Sequence, residues 1–457
     1  MKTIKILITV LVITAMFIAT SCKKDFFTQV NDNPNSPDSV NPSSLLSTVE
    51  GSLGYSQGGE LSRFTSMFTQ QTLGASRQAQ GWYTYIFTTQ DFDQAWGNLY
   101  AQTMENNFLL MQMSDQKGYH QYAGVSRILM AYTLQLVADE WGSAPFSQAF
   151  LGIENLHPSY DADQVLYDSI GRLIDEGIAD LNQPITEALI PGPDDFIYAA
   201  TASSWDEAAV KWIKFGHAIK ARLAIHQSKG DAIKAQEALD EIDQSFSGNG
   251  DNAQLVFGIT STNAGPWYQF NTQRGDISFS QSTLAAELTA TSDPRYPIFI
   301  DDANDASGQG LAAYYGSPNS PVEFICYDEL ELIKAEAILR ISGDIAGAQA
   351  AYQEAITANM QKLGVAEADI TSYIASTGTL PANADDAIRQ VAIQAWIILY
   401  LNPEDWSWYR RDAAPELEAV DGTEVPRRFL FPQTEYSYNG EHVPPSSLYT
   451  PLIFWDN

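Results

Sequence analysis

The chain of 457 residues is 45% apolar and sets 25 basic against 56 acidic side chains, a formal net charge of −31. A surface this acidic repels nucleic acid and other polyanions before contact, which excludes a strongly anionic ligand. With 2 cysteines and 5 scattered histidines, the chain shows no zinc spacing, nucleotide fingerprint or phosphate-cradling glycine loop, so no cofactor or metal is expected.

Lys2 and Lys5 precede an apolar run over residues 6–18 that ends at Ala19, Thr20, Ser21 and Cys22. The run is too short to span a bilayer, and its basic flank and small-residue end predict a signal peptide over residues 1–21. Cys22 directly after those small residues resembles a bacterial lipobox, in which the cysteine is acylated. Such acylation would hold the mature chain stably on a membrane face, with residues 22–43 as anchor and tether. Loss of Lys2 and Lys5 with the leader leaves 23 basic against 56 acidic residues, a net −33. The one remaining thiol, Cys326, sits beside Phe324, Ile325 and Tyr327; it reads as a buried filler.

Helical patterning begins near Leu45 and breaks between Gly51 and Gly59, where Gly54-Tyr-Ser56-Gln-Gly58 has the spacing of a nucleophile elbow. That motif needs a strand before it, and here a helical pattern precedes, so a helix-to-helix turn is expected. Residues 77–93 lack a helix period, are crowded with Trp82, Tyr83, Tyr85, Phe87 and Phe92, and read as a loop or short strand. Helical periods resume over 96–113 and from Tyr122 to Leu136, stop at the Gly142–Pro145 exit, and return after Pro158-Ser-Tyr-Asp161 with Leu166, Ile170, Leu173 and Ile174 on one face. A partner helix carries Trp212, Phe215, Ile219 and Leu223.

Residues 248–321 change to Gly, Asn, Ser, Thr and Pro, with a strand expected only at 254–260 and a helix at 281–290. A loop-rich stretch of this length in a helical protein is usually functional. Residues 327–356 then read as a helical hairpin broken at Ser342-Gly343-Asp344. Leu332, Ala335, Glu336 and Leu339 share one face, as do Ala348, Tyr352 and Ala355. The alternation of small and large residues resembles a tetratricopeptide repeat, which must stack on others like itself. A last helix is expected over 387–400. The expected fold is therefore mostly α. Tetratricopeptide-like helical hairpins over 44–247 and 322–402 form a scaffold, the loop-rich ligand-binding region 248–321 packs on it, and 403–457 is an irregular tail.

Several landmarks together resemble the SusD/RagB family of outer-membrane lipoproteins. They are Asn33-Pro-Asn-Ser-Pro37, the Trp141–Phe146 turn, Pro158–Asp161 with the following helix, and Trp212-Ile-Lys-Phe215 with Lys220 and Arg222. Asp293-Pro-Arg295, Ala335-Glu-Ala337, and Arg427-Arg428 with Pro432 and Glu435 complete the set. Gly177 stands where the family usually has Ala. The resemblance covers nearly the whole mature chain as a single domain, 44–457. It implies four tetratricopeptide-like hairpins, cell-surface exposure on the outer membrane, capture of an oligosaccharide or polysaccharide, and a SusC-like TonB-dependent transporter as partner. Peptide cargo and a surface glycoside hydrolase remain as alternatives, since 56 acids guarantee carboxylate pairs without identifying any; a non-catalytic binding protein is the expectation.

A neutral glycan needs flat rings for its C–H faces and planar donors for its hydroxyl edges. The candidates are the loop aromatics Trp82, Tyr83, Tyr85, Trp267, Tyr268, Tyr314 and Tyr315, flanked by Arg77, Arg274 and Asp276. Trp82, Trp267 and Tyr268 lead, and a laminarin-type β-glucan is the first expected ligand. Trp96, Trp141, Trp212 and Trp396 are expected to be structural, Trp406 and Trp408 to pack with Arg410 and Arg411, and Asp301–Asp305 to form a solvated loop.

Overall fold

The computed structural model describes residues 41–456 except 187, 421 and 422; the leader and Cys22 lie outside them. Helix α1 (Pro42–Ser56) runs unbroken through Gly51 and Gly54, widens into a π-helical turn at Gln57–Leu61, and continues as α2 (Ser62–Phe68). The expected interruption falls at Gly59, where the backbone leaves the helical region at φ −96° and ψ −114° and the helix kinks. Its glycines exist for close approach: a Cβ on Gly58 would stand 2.5 Å from Val322 Cγ2 and 3.0 Å from Pro266 Cγ. Ser56 donates to Ser52 O at 2.7 Å, so the elbow reading fails.

The stretch expected as loop or strand contains helix α3 (Arg77–Tyr83) and a 3₁₀ turn (Thr89–Phe92). The long helices follow as α4 (Glu105–Lys117), α5 (His120–Trp141), α6 (Asp163–Leu181), α7 (Trp205–His226) and α8 (Ala232–Ile242). The loop-rich region holds one helix that the pattern hid, α9 (Pro266–Gln273), with Pro266 at its first position where the missing N–H costs nothing. After it come α10 (Tyr327–Ser342), α11 (Ile345–Lys362), α12 (Glu367–Thr377), α13 (Ala384–Ile398) and α14 (Glu404–Asp412).

The α10–α11 hairpin forms as its sequence dictates. Gly343 takes the left-handed conformation at φ 65° to end α10, and Asp344 caps α11 by accepting from Gly347 N at 2.9 Å. Leu332, Ala335, Glu336, Ala348, Tyr352 and Ala355 are all fully buried. In the α5–α6 pair Gly124 and Gly177 face each other, and a Cβ on Gly124 would lie 2.8 Å from Gly177 O. Gly177 is therefore small because the two backbones touch there. Pro42 to the C-terminus forms one compact unit. None of its described helices is long and apolar enough to cross a membrane.

Two short antiparallel pairings tie loops to this scaffold. β1 (Leu73–Gly74) pairs with β3 (Ile277–Ser278), and β2 (Ala253–Val256) with β4 (Pro321–Ile325). The family-like motifs turn out to be buried ion pairs and caps. Arg222 binds Glu329 through two hydrogen bonds of 2.7 and 2.6 Å, Arg295 binds Asp293 at 2.9 and 2.6 Å, and Arg411 binds Glu336 at 2.9 and 2.6 Å. Tyr160 donates to Glu435 at 2.8 Å, joining two motifs distant in sequence. Trp96, Trp141, Trp212 and Trp396 are buried, and Arg410 and Arg411 lie over Trp406 and Trp408 at 4.0 and 4.4 Å. Asp305 departs from the solvated loop expected of it: buried, it accepts from Ser278 Oγ, Phe279 N and Ser280 Oγ.

Candidate functional site

The loop of residues 77–93 and the loop around α9 are clasped by the β1–β3 ladder. Beyond it, Ala75 N and Ser76 N both donate to Asp276 O, at 2.8 and 3.2 Å. The Asp276 carboxylate, fully buried, accepts from Arg77 Nη1 at 3.0 Å and from Arg274 Nε at 2.9 Å. Three residues singled out from the sequence thus meet in one cluster, with both guanidinium groups reaching solvent. Arg77 holds φ 52° at this junction, a strained backbone fixed by the surrounding bonds.

Trp82 and Trp267 correct the expectation of open stacking rings. Each is only 6% exposed. The Trp82 indole donates to Asp91 at 3.0 Å and packs edge-on against Phe64 at 5.0 Å; Trp267 donates to Ser62 Oγ at 2.8 Å and packs against Phe279. Both rings grip α2 and anchor their loops, because burying an indole that also finds an acceptor gains more than exposing it. Tyr85 and Tyr315 are likewise buried. Tyr83, Tyr268 and Tyr314 are half-buried, and Tyr314 donates to Glu323 at 3.1 Å.

The ring that reading by sequence missed is Phe270, half-buried on α9. Arg63 lies over it at 4.6 Å and Arg274 at 5.7 Å. Arg63 has no hydrogen bond and no carboxylate within 4 Å among the described residues, and its Nε is buried without a partner. Burial pulls its pKa below the ordinary guanidinium value, with Glu60 opposing. Burial in turn raises the Glu60 carboxyl, against Arg63. Once α9 is formed, Phe270 lies one turn after Trp267.

A second feature adjoins the N-terminal end of α9. Gly58 of the π-helical turn, Trp267, Tyr268, Tyr315, Val322 and Tyr400 help to line a small cavity of about 40 Å³. The candidates therefore divide. Arg77, Arg274 and Asp276 stand at one end of α9, Trp267, Tyr268 and Tyr315 at the other with Tyr314 stacked edge-on to Tyr315 at 4.8 Å, and Trp82, Tyr83 and Tyr85 on the α3 side.

The sequence profile of a SusD-like family, described as starch-binding and associating with the outer membrane, matches residues 34–432. The chain belongs to this family. A SusD/RagB family protein from Bacteroides thetaiotaomicron has a similar structure, with TM-score 0.70 and 23% identity, covering 92% of this chain and 99% of its own. A SusD homologue from Bacteroides uniformis gives 0.72 and 19%, covering 92% and 100%. A chitin-binding SusD homologue from Flavobacterium johnsoniae gives 0.66 and 19%, covering 91% and 93%. No curated protein matches. At these identities the structural likeness speaks for the SusD-like fold; of the motifs that carried the resemblance, Asn33–Pro37 lies outside the described residues, and Arg222, Arg295 and Glu336 supply buried ion pairs of the scaffold.

Proposed function

We propose that this SusD-like chain is a non-catalytic cell-surface lipoprotein, anchored through Cys22, that captures a neutral polysaccharide and delivers it to a SusC-like TonB-dependent transporter. The observation that carries the reading is Phe270 between Arg63 and Arg274, with Asp276 holding Arg274 and Arg77 from beneath. The ring holds the two guanidinium groups over it, whose forks offer paired donors for vicinal hydroxyls, and neighbouring tyrosines offer faces for sugar C–H groups. Tyr83 and Tyr268 are the further rings in reach of solvent. A β-glucan of the laminarin kind is the first ligand; chitin-type chains are the second, favoured by the Flavobacterium neighbour described as chitin-binding.

Affinity electrophoresis of the purified protein against laminarin, starch, chitin oligosaccharides, alginate and a peptide digest tests this. Retardation by a neutral polysaccharide without release of new reducing ends is expected. Retardation only by peptides, or new reducing ends, would replace it with one of the alternatives. Cys22→Ala is expected to leave the membrane fraction.

A further inference from the structure

Tyr315 and Tyr400 line the pocket at the N-terminal end of α9, their rings edge to face at 5.1 Å. They are 7% and 3% exposed, and neither hydroxyl has a partner among the described residues. Leaving a buried hydroxyl unbonded costs about 1–3 kcal/mol. Most other polar groups on the wall are committed, and Ser320 Oγ accepts from Ser317 N at 2.9 Å. Gln57 donates to Glu323 O at 2.7 Å and accepts from Tyr132 at 2.8 Å; Asn402 donates to Glu323 O at 2.9 Å and accepts from Glu404 N at 3.1 Å. The Glu323 carboxylate takes Tyr314 and Lys362 at 3.1 and 2.8 Å. What remains for a visitor is the buried Tyr315 and Tyr400 hydroxyls and the half-buried Tyr268, between apolar surfaces of Trp267, Pro266, Val322 and Leu401. Burial raises the Tyr315 and Tyr400 pKa values far above the ordinary one, so these hydroxyls keep their protons.

We propose that this pocket is a subsite for the neutral, oxygen-bearing exocyclic arm of a pyranose unit: the hydroxymethyl group of a hexose or the acetamido group of an N-acetylhexosamine. A charged arm would have to lose its hydration with no ion partner free to meet it. The pocket stands about 6 Å along the α9 axis from Phe270, at about 1.5 Å per residue, on the order of one sugar unit. A chain lying over Phe270 and its arginines therefore has an arm within reach. The inference rests on the glycan reading above and adds what selects the glycan: a site built to bond an oxygen rejects the analogue lacking it, because its own polar groups are then left unpaired.

Calorimetry with two matched pairs tests it: β-1,3-linked glucohexaose against β-1,3-linked xylohexaose, and chitohexaose against cellohexaose. Binding at least about tenfold tighter for the member with the extra arm in one pair, abolished in Tyr315→Phe/Tyr400→Phe, is expected. The first pair reads the hydroxymethyl arm, the second the acetamido arm. The double variant should melt at or above the wild-type temperature, since it removes unbonded hydroxyls. Equal affinities within both pairs, a gap that survives the double variant, or a lowered melting temperature would each overturn the subsite. If laminarin binds and no gap exists, the subsite alone falls. If laminarin and all four hexaoses fail to bind, the glycan reading falls with it.

Discussion

Two sets of arginines divide the molecule. In the scaffold, Arg222, Arg295 and Arg411 are buried, and each closes a two-bond fork on a carboxylate, that of Glu336 being shared by Arg411 and Arg340. Around α9, Arg77 and Arg274 share the single carboxylate of Asp276, and Arg63 has none within 4 Å among the described residues. In a chain with 56 acids and 25 bases, acids are in ample supply, so an arginine without its own is a matter of placement. The buried set is sealed from solvent, so even an unbonded donor such as Arg411 Nη1 meets no ligand, and the set can only stabilise. The under-paired set keeps donors for something that arrives.

The largest effect expected from breaking this contrast is in the scaffold. Arg222→Ala leaves Glu329 buried without its counter-charge and Glu404 with His226 alone, which should cost about 3–5 kcal/mol in a urea titration. Trp82→Ala and Trp267→Ala belong with it: each removes a buried indole and its hydrogen bond, and should cost roughly 3–5 kcal/mol of stability. Any loss of glycan binding by these two should track the loosening of their loops. By contrast Phe270→Ala and Arg63→Gln should weaken binding by about tenfold, roughly 1.4 kcal/mol, with nearly unchanged melting. If the tryptophan variants melt like wild type, or Arg63→Gln binds like it, the division is wrong.

The same division explains what the sequence revealed. Long amphipathic helices announce themselves by period, and the α10–α11 break was legible because Gly343 and Asp344 are the cap residues such a break needs. The scaffold motifs were legible because buried ion pairs fix residue identity at both ends. The site was only half legible. Arg77, Arg274 and Asp276, singled out from the sequence, do meet in one cluster, but the exposure of the rings was misjudged, because whether Trp82 or Phe270 faces outward depends on contacts with Asp91, Phe64 and Arg63 that no local pattern encodes. The helical state of α3 and α9 was hidden by their brevity, 7 and 8 residues, with too few turns to establish a period.

A smaller effect sharpens the scaffold side through pH. Burial pulls the His226 pKa down, but Glu404 at 2.7 Å and Asp139 outweigh it and the net shift is upward. Burial also raises Glu140 and Asp405, and lifts Glu329 to about 7 against the pull of Arg222. Each folded value lies above its unfolded one, so each contribution is complete below the unfolded pKa and is lost as pH rises through the folded pKa. Asp139 and Glu336 run oppositely: burial raises them, His226 and Arg411 respectively overcome it, and their contributions fade only as pH falls through depressed values. The melting temperature should therefore be highest in mild acid and decline from about pH 5 to about pH 8. A melting temperature that climbs over that range would mean that His226 is neutral in the fold.

The smallest expected effect is the most diagnostic of the site. If Phe270 and its flanking guanidinium groups hold a neutral chain by desolvated area and hydrogen bonds, affinity should barely change between low salt and about 0.5 M salt, because no net charge is brought together. The competing expectation is concrete. Arg63, Arg77 and Arg274 form a local positive patch inside a chain of net −31. An anionic polysaccharide would feel repulsion at long range and attraction only within a Debye length of about 10 Å at 0.1 M salt. Its affinity would therefore depend steeply on salt. Calorimetric titrations of laminarin and alginate at both salt concentrations separate the two. A flat laminarin affinity with weak alginate binding supports hydrogen-bonding arginines, whereas tighter alginate binding that collapses with salt would make the under-paired arginines a charge trap and overturn the neutral ligand.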